Sequence, residues 1–423
     1  MPDPQLPHQR RPASHGRRLR AALVGTGGIA EAGHLPALRS QAHRVDLVAA
    51  VDTDPARLRA FTGRHGVPAG FATVPEMLDA VRPDLVHLCT PPAAHAADAV
   101  ACLRAGAWVW VEKPPVLSLA EYDRIEGSEQ PGGPYASVVY QHRFGSGARR
   151  LAGLVASGAL GRPLVAQCVT AWFRGHDYYE VPWRGDWATE GGGPTLGHGI
   201  HQMDLLLSVL GRWTEVRAMA GRLDRAVQTE DVSAALVRFA GGTVATVLNS
   251  VLSPREESRL RFDLTEATVE LTHLYGYGDD DWQITPAPGA TDAARLARLW
   301  RTAEPAAEIR SSHAAQLPHL LDALERGVRP PASGPAGRAV LELITALYRS
   351  AFTGQPVRRE ELGPHDPFYH HLHGDTPEWA PADRAPGPPP GTAAEPAAPE
   401  GRDTDAAPAG PAAPAAGRPG ASR

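Results

Sequence analysis

Five short apolar runs punctuate the first third of the chain, at 19–24 (LRAALV), 46–51 (DLVAAV), 85–89 (LVHLC), 107–111 (AWVWV) and 137–140 (SVVY). Each has strand length, and the segments between them, such as DPARLRAFTGRHG, VPEMLDAV and AAHAADAVACLRAG, carry helical period. Strand and helix in regular succession predict a parallel sheet covered by helices on both faces. Sheets of this kind bind ligands outside the carboxyl ends of their strands, beside the topological switch point. The pattern changes further along. WTEVRAMAGRL, EDVSAALVRFA, TVATVLNS and SRLRFDLTEATVEL follow one another with short turns between them, which predicts an antiparallel meander. Helical segments follow near 308–327 and 336–352, and no internal repeat is visible.

Both ends of the chain lack this patterning. Residues 1–18 read as a disordered basic tail; the twin arginine Arg10-Arg11 precedes an apolar run, but that run breaks at GTGG and is needed as a strand, so an export signal is not expected. Residues 381–423 are almost entirely Pro, Ala, Gly and a few charged or hydroxyl residues, and the last aromatic is Trp379. The segment 376–423 therefore reads as a second disordered tail. No run approaches the roughly 18 apolar residues of a membrane helix.

The first strand runs into GTGGIAEAGHLPAL, where Gly25, Gly27 and Ala30 fit the G-x-G-x-x-G/A fingerprint of a dinucleotide-binding turn. The glycines allow a tight turn and a bare backbone facing a pyrophosphate, with helix amides behind it. Asp52 ends the second apolar strand, where a carboxylate takes the two ribose hydroxyls and repels a 2′-phosphate. The expected cofactor is NAD rather than NADP.

Charge adds an exclusion and an oddity. The net charge is −5 and, beyond the first twenty residues, basic and acidic residues are interspersed, which argues against a nucleic-acid surface. Cys89, Cys102 and Cys168 are scattered and odd in number, the usage of a reducing compartment, and a cytoplasmic location is expected. The oddity is WVWVEKPPV at 108–116: of 42 Lys plus Arg, Lys113 is the single lysine. An ammonium whose pKa can be brought toward neutrality suits work that a guanidinium cannot do.

GTGGIA at 25–30, CTPPAAH at 89–95, LRAGAWVWVEKPP at 103–115, YQHRF at 140–144, WRGDW at 183–187 and GGGPTLGHGIHQMDLL at 191–206 occur in one order over more than 180 residues. In these stretches the chain resembles the glucose-fructose oxidoreductase and inositol dehydrogenase family, Gfo/Idh/MocA. The resemblance implies an α/β protein of two domains. A Rossmann domain with a parallel sheet is expected over 19–143, and an α/β domain with an open, mostly antiparallel sheet, carrying substrate and oligomer contacts, over 144–375. It implies a homodimer or homotetramer.

It also implies residue roles. Gly25, Gly27, Gly28, Ile29 and Asp52 fall at cofactor positions, as do Thr90, Pro91, His95, Glu112 and Lys113. Lys113 is expected to polarise the substrate oxygen beside the nicotinamide, with Pro114 following a cis bond. His201 matches the acid/base histidine of the family. Arg143, Tyr178, Trp183, Arg184 and His198 join Lys113 and His201 on the substrate side, and the aromatic run 171–187, which also holds Trp172, Tyr179 and Trp187, suits the face of a sugar or cyclitol ring. One position departs from the pattern. Many members carry Asp four residues before the histidine and this chain has Gly197; Asp204, one turn after His201, is expected to bond the imidazole instead. The histidines of HDPFYHHLHG at 365–374 read as terminal packing, and no metal site is expected.

The implied activity is NAD-dependent hydride transfer between a hydroxyl-bearing carbon of a sugar, inositol or related polyol and nicotinamide. Two alternatives stand beside it: a glycosidase that uses bound NAD for transient oxidation, and a regulator that senses dinucleotide without catalysis.

Overall fold

The computed structural model describes residues 17–288, 293–376 and Trp379. The tail expectations fall almost wholly outside these residues.

Six strands form the first sheet: β1 (Leu19–Val24), β2 (Val45–Val51), β3 (Ala69–Phe71), β4 (Leu85–Leu88), β5 (Trp108–Val111) and β6 (Ala136–Val138). Their order is β3-β2-β1-β4-β5-β6, with every pairing parallel. This is the doubly wound order, whose switch point lies between β1 and β4. β4 and β5 are buried at every residue, as strands covered on both faces must be. Only β3 escapes the hydrophobic pattern, since three residues of an edge strand carry too little signal.

The second sheet has eight strands: β7 (Pro163–Phe173), β8 (Trp213–Gly221), β9 (Val232–Phe239), β10 (Val244–Ser250), β11 (Leu252–Leu264), β12 (Ala267–His273), β13 (Trp282–Pro286) and β14 (Val357–Arg358). They run β13-β12-β11-β7-β10-β9-β8-β14, antiparallel except where β7 lies parallel to β10. The chain is thus α/β as expected, with the meander in place. The sequence pattern missed the short edge strands β13 and β14, and also β7, which enters the middle of the sheet from far upstream. Its inward residues Ala166, Cys168 and Thr170 are small or polar, so the alternation is there but weak.

One face of this sheet covers the helices Ile200–Leu210 and Gly334–Thr353, through Ala166, Cys168, Val237, Ala245 and Val247. The other face exposes Val165, Val244, Leu248, Leu236 and Met219, with Met219 at 80% exposure. At the end of the described chain Trp379 stacks on Phe352 at 4.2 Å and its Nε1 donates to the Gln228 carbonyl at 3.2 Å. Part of the segment read as tail therefore belongs to the packed body.

Candidate active site

The glycine-rich turn sits where β1 meets β4. Gly25 has a φ of +86°, and a Cβ there would lie 2.9 Å from the Cys89 carbonyl carbon and oxygen, so this backbone needs glycine twice over. At Gly27 a Cβ would meet nothing within 4 Å, which leaves open space above the turn. Thr90, at the end of β4, keeps a buried hydroxyl oxygen without a hydrogen-bond partner. A bare turn, an open space over it and an orphan hydroxyl fit a dinucleotide whose pyrophosphate lies on the turn.

Asp52 is buried at the end of β2 and is already engaged by neighbouring amides. Its Oδ2 accepts from the Thr26 amide at 2.9 Å and the Thr26 hydroxyl at 2.7 Å, and its Oδ1 from the Asp54 amide at 2.8 Å. The acid thus ties the second strand to the glycine turn and has acceptor capacity left chiefly on Oδ1. Arg57, which sequence reasoning passed over, lies 3.4 Å from Oδ2.

Glu112, Lys113 and Pro114 follow β5, and the Lys113–Pro114 bond is cis. The lysine ammonium donates to the Gly197 carbonyl oxygen at 3.2 Å. Glu112 turns the other way, into the protein. Its Oε2 accepts from the Lys113 amide at 3.0 Å, and its Oε1 accepts from His34 Nε2 at 3.0 Å and His313 Nε2 at 2.7 Å. Since His34 donates from Nε2, its Nδ1 is an acceptor, and His87 Nδ1 donates to it at 2.9 Å. Burial pushes the Glu112 carboxyl up, and the bonds from His313 and His34 outweigh that to hold it well below the usual carboxylate range. Burial also lowers both His34 and His87. The ligand atoms of His34, Glu112 and His313 lie within 4.8 Å of one another and could hold a metal ion, yet hydrogen bonds already account for each contact.

His95 bridges the neighbouring segments, its Nε2 2.7 Å from the Thr90 carbonyl and its Nδ1 3.0 Å from that of Pro114. That places it behind the two loops rather than at their open surface.

Opposite Lys113, residues 191–206 form a glycine turn leading to the helix Ile200–Leu210. Glu230, fully buried, accepts from the amides of Gly193 at 3.0 Å and Thr195 at 2.9 Å and from the Tyr348 hydroxyl at 2.9 Å. A Cβ on Gly193 would stand 1.9 Å from the Glu230 carbonyl oxygen, so the close approach excludes any side chain. His201, in the first turn of the helix, is 2% exposed and neither ring nitrogen has a hydrogen-bond partner. Burial first, then the Lys113 charge, hold its pKa well below the ordinary value, so the ring is neutral with a free lone pair at neutral pH. Its ring lies 4.9 Å from that of His142 and 5.8 Å from that of Tyr275.

Two expectations are corrected here. Asp204 does not bond His201; Arg143 donates to both its oxygens, from Nε at 2.8 Å and from Nη2, and Asp204 is 1% exposed. The guanidinium of Arg143, expected on the substrate, is therefore committed to that buried pair. The aromatics of 171–187 divide between packing and a cluster beside His198. Trp187 packs into the body on Tyr348 and Phe352, and Trp172 donates to Ser258 Oγ at 2.9 Å. Tyr178, Trp183, Arg184 and His198 do gather: the Arg184 guanidinium lies 3.9 Å over Tyr178 and 4.3 Å over Trp183, and the His198 ring is 6.1 Å from Tyr178 and 5.1 Å from Trp172. His198 Nδ1 is buried without a partner.

A doubly wound sheet with a bare glycine turn, facing a lysine and a histidine on a helix that covers a second sheet, defines an oxidoreductase that uses a nicotinamide dinucleotide. Residues 19–131 match the oxidoreductase family with an NAD-binding Rossmann fold, and residues 148–270 match the GFO/IDH/MocA C-terminal domain. The chain belongs to the Gfo/Idh/MocA family.

Among curated proteins it is 25% identical over 364 residues to D-glucoside 3-dehydrogenase of Escherichia coli, covering 80% of this chain and 97% of that one. It is 32% identical over 213 residues to 1-carboxy-3-chloro-3,4-dihydroxycyclohexa-1,5-diene dehydrogenase of Comamonas testosteroni; that match spans 49% of this chain and about half, 52%, of the relative. Among solved structures, the WlbA dehydrogenase of Chromobacterium violaceum in complex with NADH and UDP-GlcNAcA superposes with a TM-score of 0.73 at 25% identity, over 82% of this chain and 98% of that one. Levoglucosan dehydrogenase in complex with NADH shares the fold, with a TM-score of 0.68 over 81% of this chain and 98–99% of that one at 18% identity.

Proposed function

We propose that this protein oxidises a ring hydroxyl of a sugar, inositol or related polyol with NAD, with Lys113 and His201 as its catalytic residues. The observation that carries this reading is the bond from Lys113 Nζ to the Gly197 carbonyl, which joins the end of β5 to the segment that presents His201. NAD, when bound, supplies the hydride acceptor. Lys113, an ammonium held at the cleft, donates to the hydroxyl oxygen and stabilises the charge that grows there as hydrogen departs. His201, neutral and with both nitrogens uncommitted, takes the hydroxyl proton.

Gly25, Gly27, Gly28 and Ile29 would lie under the pyrophosphate and Asp52 beside the ribose. Thr90, Pro91, His95 and Glu112 would frame the nicotinamide side, His95 and Glu112 by holding the loops. Tyr178, Trp183, Arg184 and His198 would meet the sugar face, while Arg143 acts by fixing Asp204. The relatives support a sugar-type substrate: one is named for a glucoside, another for apiose, and a structural neighbour holds a nucleotide sugar.

The reading extends to a cytoplasmic homo-oligomer with residues 19–143 and 144–375 as its two domains. All three cysteines are buried and free, as in a reducing compartment. The exposed apolar face around Met219, Leu236 and Leu248 supports pairing between copies. No helix among the described residues is long and apolar enough to cross a membrane.

The deciding experiment offers purified protein NAD with a panel of inositols, hexoses, amino sugars and glycosides and follows NADH. Steady NADH from one free polyol is the expected result. Cleavage of a glycoside without net NADH would replace it with transient oxidation, and NAD binding without turnover would replace it with a sensor.

A further inference from the structure

The segment leading into the glycine turn buries a carboxyl that the scheme above leaves unused. Glu190 is 6% exposed. Its Oε2 accepts from the Gly185 amide at 2.6 Å, and its Oε1 lies 3.4 Å from Arg184 Nη1. The same Oε1 faces Gly197: a Cβ built on that glycine would lie 3.9 Å from it, and nothing else comes within 4 Å of that point. Gly197 is also the residue whose carbonyl holds the Lys113 ammonium. Lysine, bare glycine and buried carboxyl therefore converge on one spot, and the empty space beside Gly197 is where a side chain of that residue would carry its own acid.

We propose that Glu190 is the carboxyl of the Lys113–His201 centre, reaching from the preceding loop into the space that Gly197 leaves open and acting as a positioning and proton-holding residue. The inference rests on the oxidoreductase reading. It explains why an aspartate at 197 is dispensable in this chain: the charge arrives from seven residues upstream.

Three charged groups face Glu190 in addition to the Gly185 amide: Arg184 and Lys113, which favour the carboxylate, and Glu230, which opposes it; the Tyr179 hydroxyl nearby is itself raised and stays neutral. Burial is the largest influence and raises the carboxyl to about 7, with Gly185 and Arg184 pulling the other way. A carboxyl that ionises near neutrality can offset the charge that His201 gains on taking the hydroxyl proton, which matters because burial depresses the basicity of His201. NAD, when bound, would accept the hydride and its two electrons. The hydroxyl proton passes to His201, and ionised Glu190 offsets the positive charge that His201 and Lys113 then share until solvent takes the proton.

Two measurements test this. In infrared titration of the full chain, the wild type is expected to show a protonated-carboxyl band that fades with a midpoint near pH 7 and is missing from Glu190→Gln; the same spectra in both proteins would overturn the proposal whatever the substrate. With a polyol that reduces NAD, Glu190→Gln is expected to lower kcat by about 100-fold. KM for NAD should stay within a few-fold, and the limb of the pH profile near 7 should vanish. Adding Gly197→Asp to Glu190→Gln should restore part of kcat. An undiminished kcat, or a loss that Gly197→Asp leaves untouched together with an unchanged pH profile, would overturn it. A wild type inert to every polyol would count against the oxidoreductase reading alone, and the infrared result would still decide the state of Glu190.

Discussion

Lys113 Nζ donates to the carbonyl oxygen of Gly197 at 3.2 Å, although 84 residues separate them. The bond ties the end of β5 to the segment before the histidine-bearing helix and directs the only lysine of the chain toward it. Lys113→Arg keeps the charge but spreads it over a larger planar group with a fixed fork. The expected outcome is a kcat at least 100-fold lower with NADH affinity within a few-fold, measured by NADH fluorescence and steady-state kinetics. Activity within a few-fold of wild type would remove the lysine from the mechanism.

Asp52 and Thr26 govern cofactor preference together. Asp52→Asn removes the charge a 2′-phosphate would meet while keeping an acceptor for the Thr26 amide, and it leaves Arg57 close by with only Asp54 as its carboxylate partner. The ratio of kcat/KM for NADP over NAD is expected to rise about tenfold, a change of roughly 1.4 kcal/mol. An unchanged ratio would mean that the ribose is read elsewhere.

Glu112 holds three donors in the interior, so Glu112→Gln places an amide where at least one of them loses its acceptor. Thermal melts should show a loss of about 2–4 kcal/mol. A stability within 0.5 kcal/mol of wild type, the usual range of surface substitutions, would show the network to be slack.

Acid should destabilise the protein early. His273 is half-buried and its pKa falls to about 4, mainly through desolvation, against an ordinary value of 6.5. Its folded value lies below its unfolded value, so the unfolded chain binds the extra proton first. Stability is complete above about pH 6.5 and is lost as pH falls from there toward 4, by up to roughly 3 kcal/mol for this residue alone. His201, His142 and His198 are lowered by burial in the same sense and add to the slope. Urea midpoints between pH 8 and 5 give the check, and His273→Gln should flatten the curve.

A pair of glycines separates close approach from flexibility. Gly193→Ala puts a Cβ 1.9 Å from the Glu230 carbonyl oxygen and should cost at least 2 kcal/mol, by displacing the turn before His201. Gly63→Ala, in the helix Pro55–His65 with open space around it, should stabilise by up to about 1 kcal/mol. Equal effects on the melting temperature would contradict the geometry.

The sequence by itself determined the parallel sheet, the glycine turn at Gly25 and the singularity of Lys113 among the cations, because period, turn chemistry and composition are local properties that the chain writes in order. The meander was legible for the same reason, and β7 was not, since small and polar inward residues hide its alternation. Partnerships between side chains followed a different rule. Helical spacing allowed Asp204 to reach His201, but Arg143 arrives on another segment and takes both oxygens. Nothing in the local pattern around Glu112 foretold His34 or His313, or gave Glu190 a place beside Gly197. Only the tertiary structure decided which acid meets which base and how dry each one is, because hydrogen-bond partners and desolvation depend on what the folded chain brings together across tens to hundreds of residues.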